Sequence, residues 1–210
     1  MEQLTPTDAA RAAAALGELE GYEETLSNRA AGTTNMVWGM AAAGIFLTYG
    51  TAGGWLSSWP ELEWLFALLW IPWVAMGTGL TWTTWVTHAV SLQRSPAMRD
   101  GMKASGLSFL LFGTLVAATF GLLVLGLGLA WDTSAVMTLV NGLFALILGT
   151  SLRRHSTTCS TNTVLAGLWM ALLGVTIGVA GLGHEPAALA GASACALGWF
   201  GSGLATYLRG

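Results

Sequence analysis

The stretch SAVMTLVNGLFALILGTSLRRHSTTCSTNTVLAGLWMALLGVTIGVAG, residues 134–181, decides the fold. Its two apolar runs, residues 134–152 and 162–181, contain no acidic or basic side chain. A helix of about 20 mostly apolar residues crosses a hydrocarbon core of about 30 Å. The link between the runs carries Arg153, Arg154 and His155, and basic residues in short links mark the cytoplasmic side. The stretch therefore predicts a transmembrane hairpin whose link faces the cytoplasm.

Further apolar runs extend this pattern in both directions, and together they predict six spans at about residues 32–50, 63–92, 105–131, 134–152, 162–181 and 186–208. All eight Lys and Arg residues lie outside these runs, in the N-terminal region, the second and fourth links and the C-terminal tail. Short external links make consecutive helices antiparallel neighbours. The predicted fold is an all-α integral membrane protein, a six-helix transmembrane bundle of three antiparallel hairpins. Both termini are expected in the cytoplasm (N-in/C-in), and the location in the plasma (inner) membrane.

Composition excludes several classes of function. Hydrophobic residues make up 54% of the chain and charged residues 9%, against roughly 25% charged in soluble domains. No Asp, Glu, Lys or Arg lies in the middle of a predicted span, which counts against ion-coupled transport and intramembrane hydrolysis. We predict no enzymatic activity, catalytic residue, metal site, cofactor or nucleic-acid partner. Cys159 is expected in a cytoplasmic loop and Cys195 in the last span, so a disulfide between them is not expected.

The N-terminal region is expected to form a separate cytoplasmic element, residues 1–30, ahead of the six-span domain, residues 31–210. Thr5, Pro6 and Asp8 supply an N-cap, a proline at the first helical position and an acid in the first turn. They predict a helix over about residues 6–29. An apolar stripe recurs along it at helical spacing and consists of Leu16, Leu19, Tyr22 and Leu26.

This amphipathic helix carries five acids against two arginines. Helices that lie on a membrane surface are normally basic, and an anionic leaflet repels an acidic face. One interpretation is that the helix docks on protein: the chain's own basic links, a second copy, or a cytoplasmic partner. The other is a solvated helix that contributes only solubility. The candidates for partner contact are Glu18, Glu20, Glu23, Glu24, Arg94, Arg99, Lys103, Arg153 and Arg154.

A few polar residues inside the spans are candidates for a ligand or pore surface, namely Trp70, Trp73, Thr81, Thr84, His88 and Asn141. The candidates in the second span share one helix face. One interpretation is that this face contacts a ligand, with His88 as hydrogen-bond partner or axial ligand. The alternative is a tryptophan-rich helix whose threonines bond to their own backbone. For Asn141, the alternatives are a pore or substrate contact and a hydrogen bond that joins two helices. His184 is expected to be a loop residue ahead of the sixth helix.

Small residues on the last two spans, such as Gly174 and Gly178, predict close helix packing, within the monomer or between copies of an oligomer. In architecture, an N-terminal cytoplasmic helix, six spans and a projecting link at residues 93–102 resemble the permeases of type-2 ATP-binding-cassette exporters. That resemblance implies a separate ATPase that drives the pore and couples to residues 93–102.

The predicted function is a permease-like or membrane-anchoring subunit of a transport complex powered by a separate partner. Two alternatives are a non-transporting accessory, scaffold or sensor protein, and a membrane protein that binds a lipid or pigment.

Overall fold

The structure, a computed structural model, describes residues 6–56, 59, 71–84, 110–153 and 157–209. Within these ranges the chain is almost entirely helical and contains no strand. The helices are α1 Pro6–Leu56, α2 residues 71–84, α3 residues 110–126, α4 Thr133–Leu152, α5 Thr157–Ala180 and α6 His184–Arg209. Helix α3 ends in a π-helical turn, Gly121–Gly126, and α6 contains a second one, Ala196–Phe200.

Three helices of the described part, α4, α5 and α6, are long and apolar enough to cross a membrane. The chain is therefore an all-helical protein with candidate membrane spans. Helix α1, which contains the first predicted span, is not among the three. Polar residues lower its mean hydropathy. Two of them form hydrogen bonds with other helices: Asn35 donates to Thr163, and Thr48 accepts from Trp73. The six-span arrangement stays a prediction.

Helices α4 and α5 form an antiparallel hairpin whose backbones approach closely at glycines. A Cβ atom on Gly167 would lie 2.7 Å from the backbone nitrogen of Leu146, and one on Gly149 would lie 2.8 Å from that of Val164. The partner positions descend along α5 as they ascend along α4, which defines the antiparallel direction. Because each glycine faces backbone, no side chain fits at these crossings.

Helix α6 runs antiparallel to α1 with equally tight packing. A Cβ on Gly39 would lie 2.6 Å from the backbone nitrogen of Phe200, and one on Gly32 would lie 2.6 Å from the carbonyl oxygen of Gly203. The core lies where α1, α4, α5 and α6 meet, and its buried side chains are Phe46, Ala145, Ala166, Met170, Ala192, Cys195 and Trp199.

Helix α1 crosses the predicted boundary at residue 30 without a break. What changes there is burial: the described side chains of residues 10–24 are exposed, whereas Asn28 and Ala30 are 4% and 1% exposed. The N-terminal segment and the first predicted span are therefore one continuous rod.

Three local expectations were wrong. Helix α3 ends at Gly126 rather than at residue 131; Gly128, at φ 64°, adopts the left-handed conformation that glycine tolerates best. Helix α5 begins at Thr157 rather than at residue 162, so Cys159 is a buried helical residue and not a loop residue. At the polar start of α5, the hydroxyl of Thr161 bonds to the carbonyl of Thr157 at 2.8 Å, so this polar group is satisfied within the helix. His184 likewise begins α6 instead of lying in a loop.

Candidate functional site

Three helix ends meet at a hydrogen-bonded junction formed by Tyr49, Asp132 and His184. The Nδ1 atom of His184 lies 3.2 Å from Oδ2 of Asp132, and its Nε2 atom lies 3.0 Å from the carbonyl oxygen of Tyr49. The rings of Tyr49 and His184 meet edge to face with centroids 4.3 Å apart. Asp132 also caps α4, because its Oδ1 accepts the backbone N–H of Ser134 at 2.7 Å. The junction ties the end of α1 to the starts of α4 and α6.

Both ring nitrogens of His184 face hydrogen-bond acceptors. These two contacts hold the imidazole ring between the carboxylate of Asp132 and the backbone of α1. The side chains of His184 and Asp132 are 30% and 18% exposed, so the pair lies at the rim of the bundle rather than in its core. The sequence predicted both residues at the external ends of spans, but it did not predict the contact between them.

Asn141 forms an interhelical hydrogen bond. Its Oδ1 accepts the indole N–H of Trp199 at 3.2 Å, and its Nδ2 donates to the carbonyl of Met137 at 2.9 Å. Trp199 lies in α6 and is 4% exposed, so the bond joins α4 to α6 inside the bundle. Of the two interpretations of Asn141, these contacts favour the link between helices.

Two further buried amides join helices and were not among the predicted site residues. Asn35 of α1 donates to Thr163 of α5 at 3.5 Å, and Asn162 of α5 donates to Thr206 of α6 at 3.0 Å. Asn35 lies inside an apolar run of the sequence, and this position could have indicated a buried amide that bonds to another helix. Asn162 stood at the predicted start of a span, so its burial could not be read from the sequence.

The candidate face of the second predicted span is described only for residues 71–84. There, Trp73 packs over Gly44 of α1 and donates its indole N–H to Thr48 at 3.0 Å. Thr84 donates to the carbonyl of Leu80 at 2.8 Å, while the hydroxyl of Thr81 is buried without a partner among the described residues. Trp70 and His88 lie outside the described residues. The described part of this face thus contacts α1 at Trp73.

Among the partner-contact candidates, Glu18, Glu24 and Arg153 have exposed side chains, and the described residues form no ion pair with any of the three. The backbones of Glu20 and Glu23 lie in α1, but their side chains are not described. The other candidates, Arg94, Arg99, Lys103 and Arg154, lie outside the described residues.

The apolar stripe beside these glutamates is uncovered. Leu16, Leu19 and Tyr22 are 60%, 60% and 61% exposed, and Leu26 is half-buried. Helix α1 therefore presents a row of apolar side chains with acidic neighbours and no cover from the described part of the chain.

Comparison of the chain with protein-family models, with curated proteins and with solved structures finds no match.

Proposed function

We propose that this chain is a multi-pass subunit of the plasma membrane, with both termini cytoplasmic, that anchors a soluble partner through the exposed part of α1. The observation that carries the proposal is the continuity of α1, from the buried Phe46 to the exposed stripe of Leu16, Leu19 and Tyr22.

Helix length supports this arrangement. At 1.5 Å per residue the 51 residues of α1 span about 77 Å. A hydrocarbon core is about 30 Å thick, so more than half of the helix projects beyond it. The part of α1 from about residue 28 onward is held by packing against α6 at Gly32 and Gly39. The part before it projects from the bundle as a rigid arm.

Charge selects the partner. The arm, residues 6–27 of α1, carries five acids against one arginine, so a second copy of the same arm and an anionic membrane surface both repel it. A partner with an apolar groove flanked by Lys or Arg fits instead, since amphipathic helices bind such grooves through residues at three- and four-residue spacing. Opposite charges also accelerate the encounter at low salt.

In a transport complex, that partner would be the separate ATPase. The coupling surface expected of a permease-like subunit, residues 93–102, lies outside the described residues. The scaffold alternative requires no coupling surface beyond the arm of α1. The transport-subunit and scaffold alternatives therefore share the same first test.

The test is affinity purification of the full chain from its native membrane in a mild detergent. A variant with Leu16→Gln, Leu19→Gln and Tyr22→Gln removes the stripe, while Ala10→Gln with Ala14→Gln introduces the same side chain at other exposed positions of α1 as a matched control.

We expect one stoichiometric protein to co-purify with the wild type and the control but not with the stripe variant. Because exposed charges are screened within about 8 Å at physiological salt and 3 Å at 1 M, its retention should fall as salt rises. Identical co-purifying proteins for the stripe variant and the control would refute the proposal.

A further inference from the structure

A groove of about 300 Å³ runs between α5 and α6 on the outer surface of the bundle. Its walls are Leu165 and Trp169 of α5 and Leu197 of α6, which are 59%, 44% and 65% exposed. Both helices are apolar enough to cross a membrane, and the described part of the chain leaves these apolar walls exposed. In a bilayer the groove would be open to lipid along its apolar length.

One end of the groove is polar. Asn162 and Ser202 line it there, and each residue is only 8% exposed. The Nδ2 of Asn162 donates to the hydroxyl of Thr206 at 3.0 Å, and that hydroxyl donates to the carbonyl of Ser202 at 2.8 Å. The amide oxygen of Asn162 therefore points away from Thr206.

The amide oxygen of Asn162 has no hydrogen-bond donor among the described residues. It is also not one of the fully enclosed polar atoms that lack a partner, which in the described part are the hydroxyls of Thr34, Thr81 and Ser134. The oxygen is therefore not fully enclosed, and it belongs to a residue that lines the groove. Ser202 uses its own proton for the carbonyl of Trp199 at 3.0 Å and can only accept another bond. The polar end therefore offers two hydrogen-bond acceptors, the amide oxygen of Asn162 and the hydroxyl oxygen of Ser202, and a ligand there has to supply a donor.

The depth of Asn162 matches a lipid headgroup. It lies about 7.5 Å along α5 from Thr157, the first residue of the helix. Headgroup regions add about 5–7 Å to each side of the hydrocarbon core. With Thr157 placed at the outer limit of the headgroup region, Asn162 would lie near the boundary between headgroups and chains, and Trp169 about 10 Å deeper along the same helix.

We infer that the α5–α6 groove binds a neutral lipid with a hydroxyl headgroup, whose O–H donates to Asn162 and whose chain lies along Leu165, Trp169 and Leu197. A phospholipid with a choline headgroup offers no donor to the two acceptors, and a charged headgroup finds no countercharge among the groove residues. This inference rests on the membrane position of α5 and α6 and is independent of the arm of α1.

The test uses the full chain in phosphatidylcholine liposomes with two photoreactive probes: a long-chain alcohol and its methyl ether. The probes share one chain, and only the alcohol donates a hydrogen bond. One hydrogen bond contributes about 1 kcal/mol, so the alcohol should label groove peptides roughly fivefold more than the ether. Asn162→Leu should remove this preference.

Leu165→Trp should reduce labelling by the alcohol because it fills the groove, while Leu168→Trp, at an exposed leucine of α5 outside the groove walls, should not. Equal labelling by alcohol and ether in the wild type would overturn the inference and indicate ordinary annular lipid; this comparison holds even if a variant does not fold.

Discussion

The hydrogen bond between Asn141 and Trp199 is the contact whose energetic role is most directly testable. Trp199 is 4% exposed and Asn141 is 8% exposed, so water does not replace either partner when the other is lost. Asn141→Leu keeps a side chain of similar size and leaves the indole N–H of Trp199 buried without an acceptor. An unsatisfied buried donor costs about 1–3 kcal/mol, so the free energy of unfolding should fall by that amount.

A double-mutant cycle isolates the bond from the packing of the ring. Trp199→Phe removes the donor and part of the contact with Phe144, whose ring centroid lies 6.0 Å away. If the bond matters, the double variant should lose less than the sum of the single losses. Measured hydrogen bonds between membrane helices average about 0.6 kcal/mol and reach about 1.7 kcal/mol, which sets the expected coupling.

The assay is reversible unfolding of the purified chain in mixed detergent and SDS micelles, followed by near-ultraviolet circular dichroism. A control cycle pairs Asn141→Leu with Trp131→Phe, because Trp131 packs against Gly178 and does not contact the amide. The control cycle should show no coupling. Equal and negligible coupling in both cycles would refute the role given to this bond.

Three further predictions concern helix crossings, the junction and the cysteines. Gly167→Ala should destabilise the protein because its Cβ would meet backbone at 2.7 Å, whereas Gly17→Ala, with open space around it, should stabilise α1 by about 0.5–1 kcal/mol; thermal unfolding distinguishes the two. Asp132→Ala should cost about 0.5–2 kcal/mol through the lost N-cap, and Asp132→Ser should recover most of that loss in the same assay. Buried Cys159 and Cys195 should react with a maleimide only after unfolding in SDS, and rapid labelling of the native protein would contradict their placement.

The sequence predicted helical class and the positions of α4, α5 and α6 because long apolar runs without charge have few other stable structures. It predicted the C-terminal ends of α4, α5 and α6 to within one residue, but it did not predict the end of α3 or the start of α5. The polar start of α5 resembled a loop because Ser and Thr side chains favour turns and caps. In the structure the hydroxyl of Thr161 instead bonds to the carbonyl of Thr157 within the helix. The break after α3 depends on Gly128, one glycine among 28, and nothing in its neighbours distinguished it.

The candidate sites divide in the same way. Asn141 was identified because an amide in an apolar run needs a partner, but which partner it finds depends on how α4 and α6 pack. The junction of Tyr49, Asp132 and His184 joins residues from three distant parts of the chain, so only the packed helices bring them together. The groove on α5 and α6 is a property of two surfaces and has no motif of its own.

The proposed function requires α1 to cross the membrane with its acidic N-terminal part in the cytoplasm. Its most direct test is labelling of Leu19→Cys and Thr51→Cys, at two exposed positions of α1, with a maleimide that does not cross membranes. Position 51 should react in intact cells, and position 19 should react only after the membrane is permeabilised. Labelling of both positions from the same side would show that α1 does not span, and the reversed pattern would place the arm outside the cell and contradict the account.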